Sequence, residues 1–296
     1  MRRLAVLALI VLPLAALAAV MAGCPAKTAG KPVVCCTTSI LGDLVARVGG
    51  PHVEVRVLAK PYDDVHTLAA TPDRTRLVAE SRAVFSNGFG LEPWLDGLVK
   101  ASAGTHERFQ ACKDVGPVGA ANGVDLDPHA WLDPIKTIRY VENVRDMLIS
   151  LDPAHETDFR INADSLIERL RSLDAWIRTE LEGVAPPRRW ILTHHDSLRH
   201  FGARYGFNTA GLAPHGVTPS PQDIDAGIRF LEEHRLPAMF YEAGRDEEVM
   251  RQMSFKCGRR LMGPLFTDTL DAPGKPAGDY EGAMKETVRV LAEALR

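Results

Sequence analysis

One long amphipathic segment dominates the hydrophobic pattern of the chain. Between positions 152 and 183, apolar side chains recur three or four residues apart, which predicts one helix with a single buried stripe. Asp152 followed by Pro153 is typical of a helix start, and Gly183 is followed by two prolines that stop it. A helix of about 30 residues spans roughly 45 Å, longer than one small domain is wide, so we predict that it joins two lobes. The stripe consists of Phe159, Ala163, Leu166, Leu170, Leu173, Ile177 and Leu181.

Short apolar runs alternate with helical periodicity on both sides of this helix. The pattern predicts strands near 33–38, 53–58, 83–85, 109–112, 190–193, 208–212, 238–241 and 262–266. Between and after them it predicts helices at 41–48, 72–80, 93–101, 134–151, 197–205, 221–234, 246–260 and 279–295. Strand alternating with helix specifies an α/β fold: two lobes, each with a parallel sheet flanked by helices, joined by one long rigid helix. The predicted N-terminal lobe is 32–151, the linking helix 152–183 and the C-terminal lobe 184–296.

The first residues have the pattern of an export signal. Two arginines precede an apolar run that ends in Ala22, Gly23 and Cys24, so we predict a signal peptide over 1–23. Small residues before a cysteine resemble the lipobox of bacterial lipoproteins, in which the thiol is acylated, although Met21 is a less usual residue there. We therefore expect a protein that is lipid-anchored to the bacterial membrane through Cys24 and exposed on its periplasmic or extracellular face, with residues 24–31 as a tether. The alternative is an uncleaved membrane anchor.

Composition narrows the class of partner. The net charge is −3, with 25% charged residues, and no basic stripe with interleaved aromatic residues is present, so nucleic acid is an unsuitable partner. No segment after the leader is apolar for long enough to span a bilayer. We expect a monomer.

Four cysteines remain if Cys24 carries lipid. Adjacent Cys35 and Cys36 point to opposite faces of a strand and cannot bridge each other without strain. With Cys112 and Cys257 they form no CxxC pair, so we expect most of them to be small buried apolar residues. An exported location permits a disulfide, but the sequence does not select one.

Metal-capable side chains follow four of the predicted strands. His66 and His129 follow the second and fourth strands, and His195 and Asp268 each lie two residues past strands of the second lobe. In open parallel sheets ligands bind beyond the carboxyl ends of the strands, so we expect these side chains to meet between the lobes. Three imidazoles and one carboxylate suit a borderline divalent ion, zinc first.

The remaining histidines supply alternatives and controls. His194 competes with His195, and His215 is the reserve candidate. A lone histidine in a loop is more often solvated than bound to a metal. The remaining five histidines lie on predicted helices, turns or strand entries, where no matching metal site is predicted. We therefore expect these to be surface residues: His52, His106, His155, His200 and His234.

Two stretches of the chain are specific: 87–95, Asn-Gly-Phe-Gly-Leu-Glu-Pro-Trp-Leu, and 127–134, Asp-Pro-His-Ala-Trp-Leu-Asp-Pro. Less specific stretches lie in 38–45, 195–198 and 263–270. With these motifs the sequence resembles, over its mature length, the metal-binding solute-binding lipoproteins of bacterial zinc and manganese ABC importers, of the cluster A-I type. The resemblance implies two α/β lobes spanned by a rigid helix, a metal ion in the cleft, and an ABC permease as partner.

The family's ligand positions fall on His66, His129, His195 and Asp268. In the family the third position is histidine in zinc binders and commonly glutamate in manganese binders, so the resemblance implies Zn²⁺ as the transported ligand, with Mn²⁺ as second candidate. Three departures stand out. Val65 replaces the usual proline before His66, and Leu68-Ala69-Ala70 replaces an aromatic and acidic stretch. The histidine-rich loop of many zinc importers is missing between His66 and His129. We also expect acidic residues to accept the outer imidazole N–H groups, unless they cap helices instead. The candidates are Asp133, Asp196, Glu92 and Glu242.

Three functions are compatible with such a site. The favoured one is a carrier that captures a divalent ion and hands it to a permease, with a manganese or iron carrier as the variant. A zinc hydrolase would need an open coordination position and a general base, and no HExxH motif is present, so we expect no enzyme. A surface adhesin with a structural metal is the third, and it differs from a carrier in that its ion need not be released.

Overall fold

Four parallel strands form the sheet of the first half. The computed structural model describes residues 30–119, 126–214 and 216–296. The order of the strands in this sheet is β2-β1-β3-β4, and each neighbouring pair of strands is parallel, as predicted. The central strands β1 and β3 are almost fully buried, which explains why they read as continuous apolar runs. The strands are β1 (Val33–Cys36), β2 (Glu54–Val57), β3 (Ala83–Ser86) and β4 (Glu107–Gln110), and the helices are α1 (Ser39–Gly49), α2 (Pro72–Ala79), α3 (Leu95–Ala101) and α4 (Pro134–Leu151).

The second half repeats the alternation but pairs its strands two by two. β5 is hydrogen-bonded in parallel to β6, and β7 to β8, while β5 lies beside β7. The parallel arrangement is confirmed, although the described strands form two pairs rather than one continuous ladder. The strands are β5 (Trp190–His195), β6 (Asn208–Ala213), β7 (Ala238–Glu242) and β8 (Arg260–Leu265), and the helices are α6 (Arg199–Tyr205), α7 (Pro221–Glu233), α8 (Glu248–Cys257) and α9 (Tyr280–Leu295).

Side-chain caps explain where several of these helices begin. Thr38 accepts a hydrogen bond from Leu41 N at the start of α1, and Asp133 accepts one from Ile135 N at the start of α4. Ser220 forms a capping box with Asp223 at the start of α7. These caps fix the points at which the chain leaves the loops that surround the cleft.

The long helix α5 (Glu156–Leu181) is present, but its predicted start is wrong. A 3-10 turn over Pro153–His155 precedes it, and no side chain caps it. The reason is that the Asp152 backbone N–H closes the end of α4 on Leu148 O, and its carboxylate accepts a hydrogen bond from His155 Nδ1 at 2.6 Å. Asp152 is therefore a junction between two helices instead of an α-helical N-cap.

The stripe predicted on α5 is buried along its whole length. All seven predicted residues are buried, and the helix packs against α1 and α4 of the first half and α9 of the second. Asp174 joins the buried face because Arg204 Nη2 and Tyr205 Oη bond its carboxylate at 2.7 and 2.9 Å. The helix thus joins the two halves, as predicted from its length.

The remaining predictions concern the cysteines, the leader and membrane segments, and the boundaries of the lobes. Cys35, Cys36 and Cys112 are buried free thiols, as expected, and burial raises the pKa of Cys112 to about 11. The described residues contain no helix that is long and apolar enough to span a membrane. The signal peptide, Cys24 and most of the tether lie outside the described residues. The lobe boundaries stay a prediction, because residues 32–296 group into one compact unit by their contacts.

Candidate metal centre

Four side chains from four different loops and strand ends meet in one buried cluster: His66, His129, His195 and Asp268. His66 lies in the loop between β2 and α2, and His129 directly precedes the 3-10 turn that leads into α4. His195 is the last residue of β5 instead of lying past it, and Asp268 follows β8. Their relative exposures are 8, 0, 0 and 4%, in that order.

The spacing of the donor atoms is that of a small coordination shell. His129 Nε2 lies 3.2 Å from His66 Nε2 and 3.4 Å from His195 Nε2. Asp268 Oδ1 lies 3.2 Å from His129 Nε2. Asp268 Oδ2 lies 3.3 Å from His195 Nε2 and 3.5 Å from His66 Nε2. A tetrahedral ion with metal–nitrogen bonds of about 2.0–2.1 Å requires ligand atoms about 3.3–3.4 Å apart. The donor atoms of the four residues are therefore close enough together to hold one small ion.

Asp127 orients His129. Its Oδ1 atom accepts hydrogen bonds from His129 Nδ1 at 2.5 Å and from His129 N at 3.0 Å, which leaves Nε2 facing the cluster. Burial lowers the pKa of His129, but the Asp127 and Asp268 carboxylates outweigh burial and raise this pKa to about 10. We therefore expect a divalent ion to displace a proton from His129 Nε2.

Glu242 orients His195 in the same way from the end of β7. Its Oε2 atom accepts hydrogen bonds from His195 Nδ1 at 3.0 Å and from His195 N at 3.1 Å. Ser197 and Thr267 hydroxyls donate to the other oxygen, Oε1, at 2.7 and 2.9 Å. Burial raises the pKa of Glu242, but the charge of His195 and the hydrogen bonds from His195 and Ser197 lower it to about 2. Glu242 thus remains an acceptor, a role that the sequence predicted for it.

The loop that carries His66 is fixed by its own neighbours. Asp64 Oδ1 accepts a hydrogen bond from His66 N at 2.9 Å, and Trp94 Nε1 donates to Val65 O at 2.8 Å. Burial lowers the pKa of His66, which keeps this imidazole neutral near pH 7. The loop is therefore held even though Val65 stands where the family usually has proline.

Asp268 is held by an arginine of the second half. Arg245 Nη2 donates to Asp268 Oδ2 at 2.9 Å, and Arg245 Nη1 donates to Asp64 Oδ2 at 2.8 Å. Burial raises the pKa of Asp268, but the charges of His195 and His129 outweigh it and bring this pKa well below the ordinary value. Asp268 is consequently a carboxylate when the cluster forms.

Hydrogen bonds between the halves surround the cluster. Trp131 Nε1 donates to Thr267 O at 2.7 Å, and Tyr280 Oη donates to Trp131 O at 2.7 Å. On the outer side Tyr62 N donates to Thr269 Oγ1 at 3.2 Å. These bonds place residues next to His129 and residues next to Asp268 in direct contact, so the cluster lies between two halves that touch.

The competing histidines fall elsewhere. His194 precedes His195 on β5, so its side chain points to the opposite face, and it is not part of the cluster. His215 lies outside the described residues. The prediction that His200 lies at the surface is wrong, because this residue is fully buried. Its Nε2 lies 3.0 Å from Asp127 O, and its Nδ1 lies 2.9 Å from Lys136 Nζ, so both ring nitrogens have partners.

The remaining acidic candidates have other roles. Asp133 caps α4, Asp196 accepts hydrogen bonds from Arg199 and Thr209, and Glu92 binds the backbone that follows β3. The sequence reasoning missed Asp127, Asp64 and Arg245. Both missed acids stand two residues before a predicted ligand, and this repeated Asp-x-His spacing was the signal that could have identified them.

Comparison with known sequences supports one family over nearly the whole described chain. Residues 34–294 match the family described as the periplasmic component A of zinc-uptake complexes, ZnuA. The manganese-binding lipoprotein MntA of Halalkalibacterium halodurans is 29% identical over 289 residues, which cover 94% of this chain and 95% of that protein. The iron-binding protein YfeA of Yersinia pestis is 26% identical over 283 residues, covering 91% and 88%.

Comparison with solved structures supports the fold. The periplasmic zinc binding protein TroA from Treponema pallidum superposes with a TM-score of 0.85 at 23% identity, covering 90% of this chain and 99% of that one. A Mn-bound periplasmic metal binding protein from Candidatus Liberibacter asiaticus gives a TM-score of 0.80 at 24% identity, covering 90% and 100%. At this level of identity the likeness extends to the fold alone.

Proposed function

The chain belongs to the family of the periplasmic component A of zinc-uptake complexes, and from this premise we propose that it captures a divalent metal ion outside the cytoplasm and delivers it to an ABC permease. The observation that carries the proposal is the buried cluster of His66, His129, His195 and Asp268. Its members come from both halves and face one another with their metal-binding atoms. The proposal assigns these side chains to holding an ion and not to catalysis.

Zinc is the ion that we propose first. Three imidazoles and one carboxylate suit Zn²⁺, which most often takes four nitrogen, sulfur or oxygen ligands. Neutral imidazole is also a softer ligand than the carboxylates and waters that Mn²⁺ prefers. Asp127 and Glu242 hold His129 and His195 with one ring nitrogen toward the cluster, which is the arrangement that metal-binding histidines need.

A manganese or iron carrier is the second candidate, because two relatives carry those ions in their names. The relative that is 29% identical is named manganese-binding, and the one that is 26% identical is named iron-binding. The metal preference of the site depends on the ligands and their neighbours, so the affinities for zinc and for manganese or iron have to be measured on this protein.

We also propose that Cys24 carries lipid and keeps the protein at the membrane. The proposal rests on the leader that ends in Ala22-Gly23-Cys24, and the relative MntA is named a lipoprotein. Two acyl chains hold a protein stably at a bilayer, whereas one holds it only marginally.

Alanine substitution in and outside the cluster tests the proposed function. His129→Ala and Asp268→Ala should abolish tight zinc binding, measured by competition with a chromophoric chelator. Zinc at about 100 times its Kd should raise the unfolding free energy of the wild type by about 2.7 kcal/mol, and it should do so far less in these variants. His155→Ala and His234→Ala are the matched controls because both imidazoles lie outside the cluster. Equal loss of binding in a control variant would refute the assignment.

A further inference from the structure

We propose that His200 is a positioning residue that ties the loop of His129 to the second half and thereby holds His129 and His195 at the spacing that a metal ion needs. This inference rests on the proposed function, because it concerns the same ion. The observation behind it is a buried hydrogen bond between the halves, in which His200 Nε2 lies 3.0 Å from Asp127 O. His200 is not a member of the cluster, so it acts through Asp127.

The partners of His200 select one tautomer of its ring. A carbonyl oxygen can only accept, so Nε2 must carry the hydrogen that is donated to Asp127 O. On the other side of the ring, Lys136 Nζ lies 2.9 Å from Nδ1, and an ammonium group can only donate, so Nδ1 is the acceptor. Burial lowers the pKa of His200 to about 4, which keeps the ring neutral near pH 7. His200 therefore makes both of the hydrogen bonds that a neutral imidazole can make.

Asp127 is the residue through which this bond affects the metal centre. Its backbone is held on both sides, because Asp127 N donates to Val118 O at 2.9 Å and Asp127 O accepts from His200. Its carboxylate in turn accepts hydrogen bonds from His129 Nδ1 and His129 N. A shift of the Asp127 backbone would therefore displace the His129 ring from its place in the cluster.

The second half carries His195 and His200 close together in sequence. His195 ends β5, and α6, which contains His200, begins four residues later. Between them, Ser197 N donates to His195 O at 3.0 Å. α6 also packs against the 3-10 turn that follows His129. The bond from His200 to Asp127 therefore fixes the His129 loop relative to the segment that carries His195, across the boundary between the halves.

This contribution should appear in the metal affinity as well as in the stability. Asp127 O is buried, so loss of the His200 donor leaves an acceptor without a partner inside the protein. We expect the loop to relieve this by moving, which displaces His129 before the ion arrives. The binding-competent arrangement is then a smaller fraction of the metal-free protein, and the observed affinity falls by that fraction.

Three substitutions of His200 and one matched control test the inference. His200→Leu removes both hydrogen bonds, whereas His200→Gln retains an amide N–H near the position of Nε2. His200→Asn is polar but too short to place its amide there, so it replaces His200→Leu if that variant does not fold. His106→Leu is the matched control, because His106 Nδ1 also lies 2.8 Å from a backbone carbonyl, Ser81 O, and its ring lies outside the cluster.

Two measurements separate positioning from folding. Urea denaturation of each metal-free protein measures its stability, and competition with a chromophoric chelator measures its Kd for zinc. His200→Leu, or His200→Asn in its place, should raise this Kd about tenfold, the lower end of the range for residues that orient a metal ligand. His200→Gln should recover most of the loss, and His106→Leu should retain the wild-type Kd.

A wild-type Kd in the folded His200→Leu variant would overturn the inference while leaving the carrier function intact. A His200→Gln variant as weak as His200→Leu would do the same, and so would an equal rise in Kd for His106→Leu. Nitrogen-15 NMR of the metal-free wild type should show His200 as the Nε2–H tautomer, and the Nδ1–H tautomer would also overturn the inference. A wild type that binds no zinc would overturn the proposed function and the inference with it.

Discussion

Zinc binding should release one proton from His129, and this coupling can be measured. The Asp127 and Asp268 carboxylates outweigh burial and raise the pKa of His129 to about 10, so we expect the metal-free protein to hold an imidazolium at pH 7.5. Burial lowers the pKa of His66, so that imidazole is already neutral and releases nothing. Because a metal binds only the neutral ring, zinc affinity should rise about tenfold per pH unit from neutrality toward pH 10.

Calorimetry in buffers of different ionisation enthalpy is the assay. At pH 7.5 the observed binding enthalpy should vary with buffer ionisation enthalpy with a slope of about one proton per zinc ion. Asp127→Asn removes the first of the two carboxylates that raise the pKa of His129, so proton release should fall and affinity should depend less on pH. An enthalpy independent of the buffer in the wild type would refute the reasoning. Equal proton release by Asp127→Asn would assign the proton to another group.

Four further predictions follow from the structure and the sequence. His195→Glu should weaken zinc relative to manganese in competitive titration, and unchanged selectivity would remove His195 from the site. Stability of the metal-free protein should decline as pH rises from 6.5 toward 10, since the raised pKa of His129 stabilises the fold only while the ring is protonated; chemical denaturation at several pH values measures this. Leu170→Ala in the buried stripe should cost about 2–5 kcal/mol of unfolding free energy, whereas Ile161→Ala, at a 60% exposed position of the same helix, should cost within about 0.5 kcal/mol. Cys24→Ala should lose labelling by radioactive fatty acid, and an unlabelled wild type would contradict the lipoprotein prediction.

The fold could be predicted because its signals are local. The stripe on α5 and the alternation of apolar strands with periodic helices need no knowledge of distant residues. Errors occurred where one residue serves two elements. The backbone N–H of Asp152 closes the end of α4, and its carboxylate accepts a hydrogen bond from His155. Asp152 therefore does not act as the N-cap of α5. The predicted end of α8 at residue 260 was also too late. The helix ends at Cys257, Gly258 follows it with φ +65°, and β8 begins at Arg260.

The candidate site could be predicted in its ligands but only partly in its supports. Metal-capable residues at strand ends are readable because parallel strands share an edge, and His66, His129, His195 and Asp268 do meet. Glu242 was predicted as a support because it lies near a strand end, and the structure places it at the end of β7, which lies beside β5. Arg245 could not be predicted, since its partners Asp64 and Asp268 come from loops that only the tertiary fold brings together.

The burial of the four donors has a kinetic consequence. The four donors are at most 8% exposed among the residues that the structure describes, so a bound ion would have little direct contact with a chelator or a permease. We expect release of a bound ion to require that hydrogen bonds between the halves open, such as the one from Trp131 Nε1 to Thr267 O. The off-rate is then set by the frequency of this opening and not by the concentration of the acceptor. Ion transfer would accordingly saturate at a first-order limit, and a permease accelerates it only by stabilising the opened conformation.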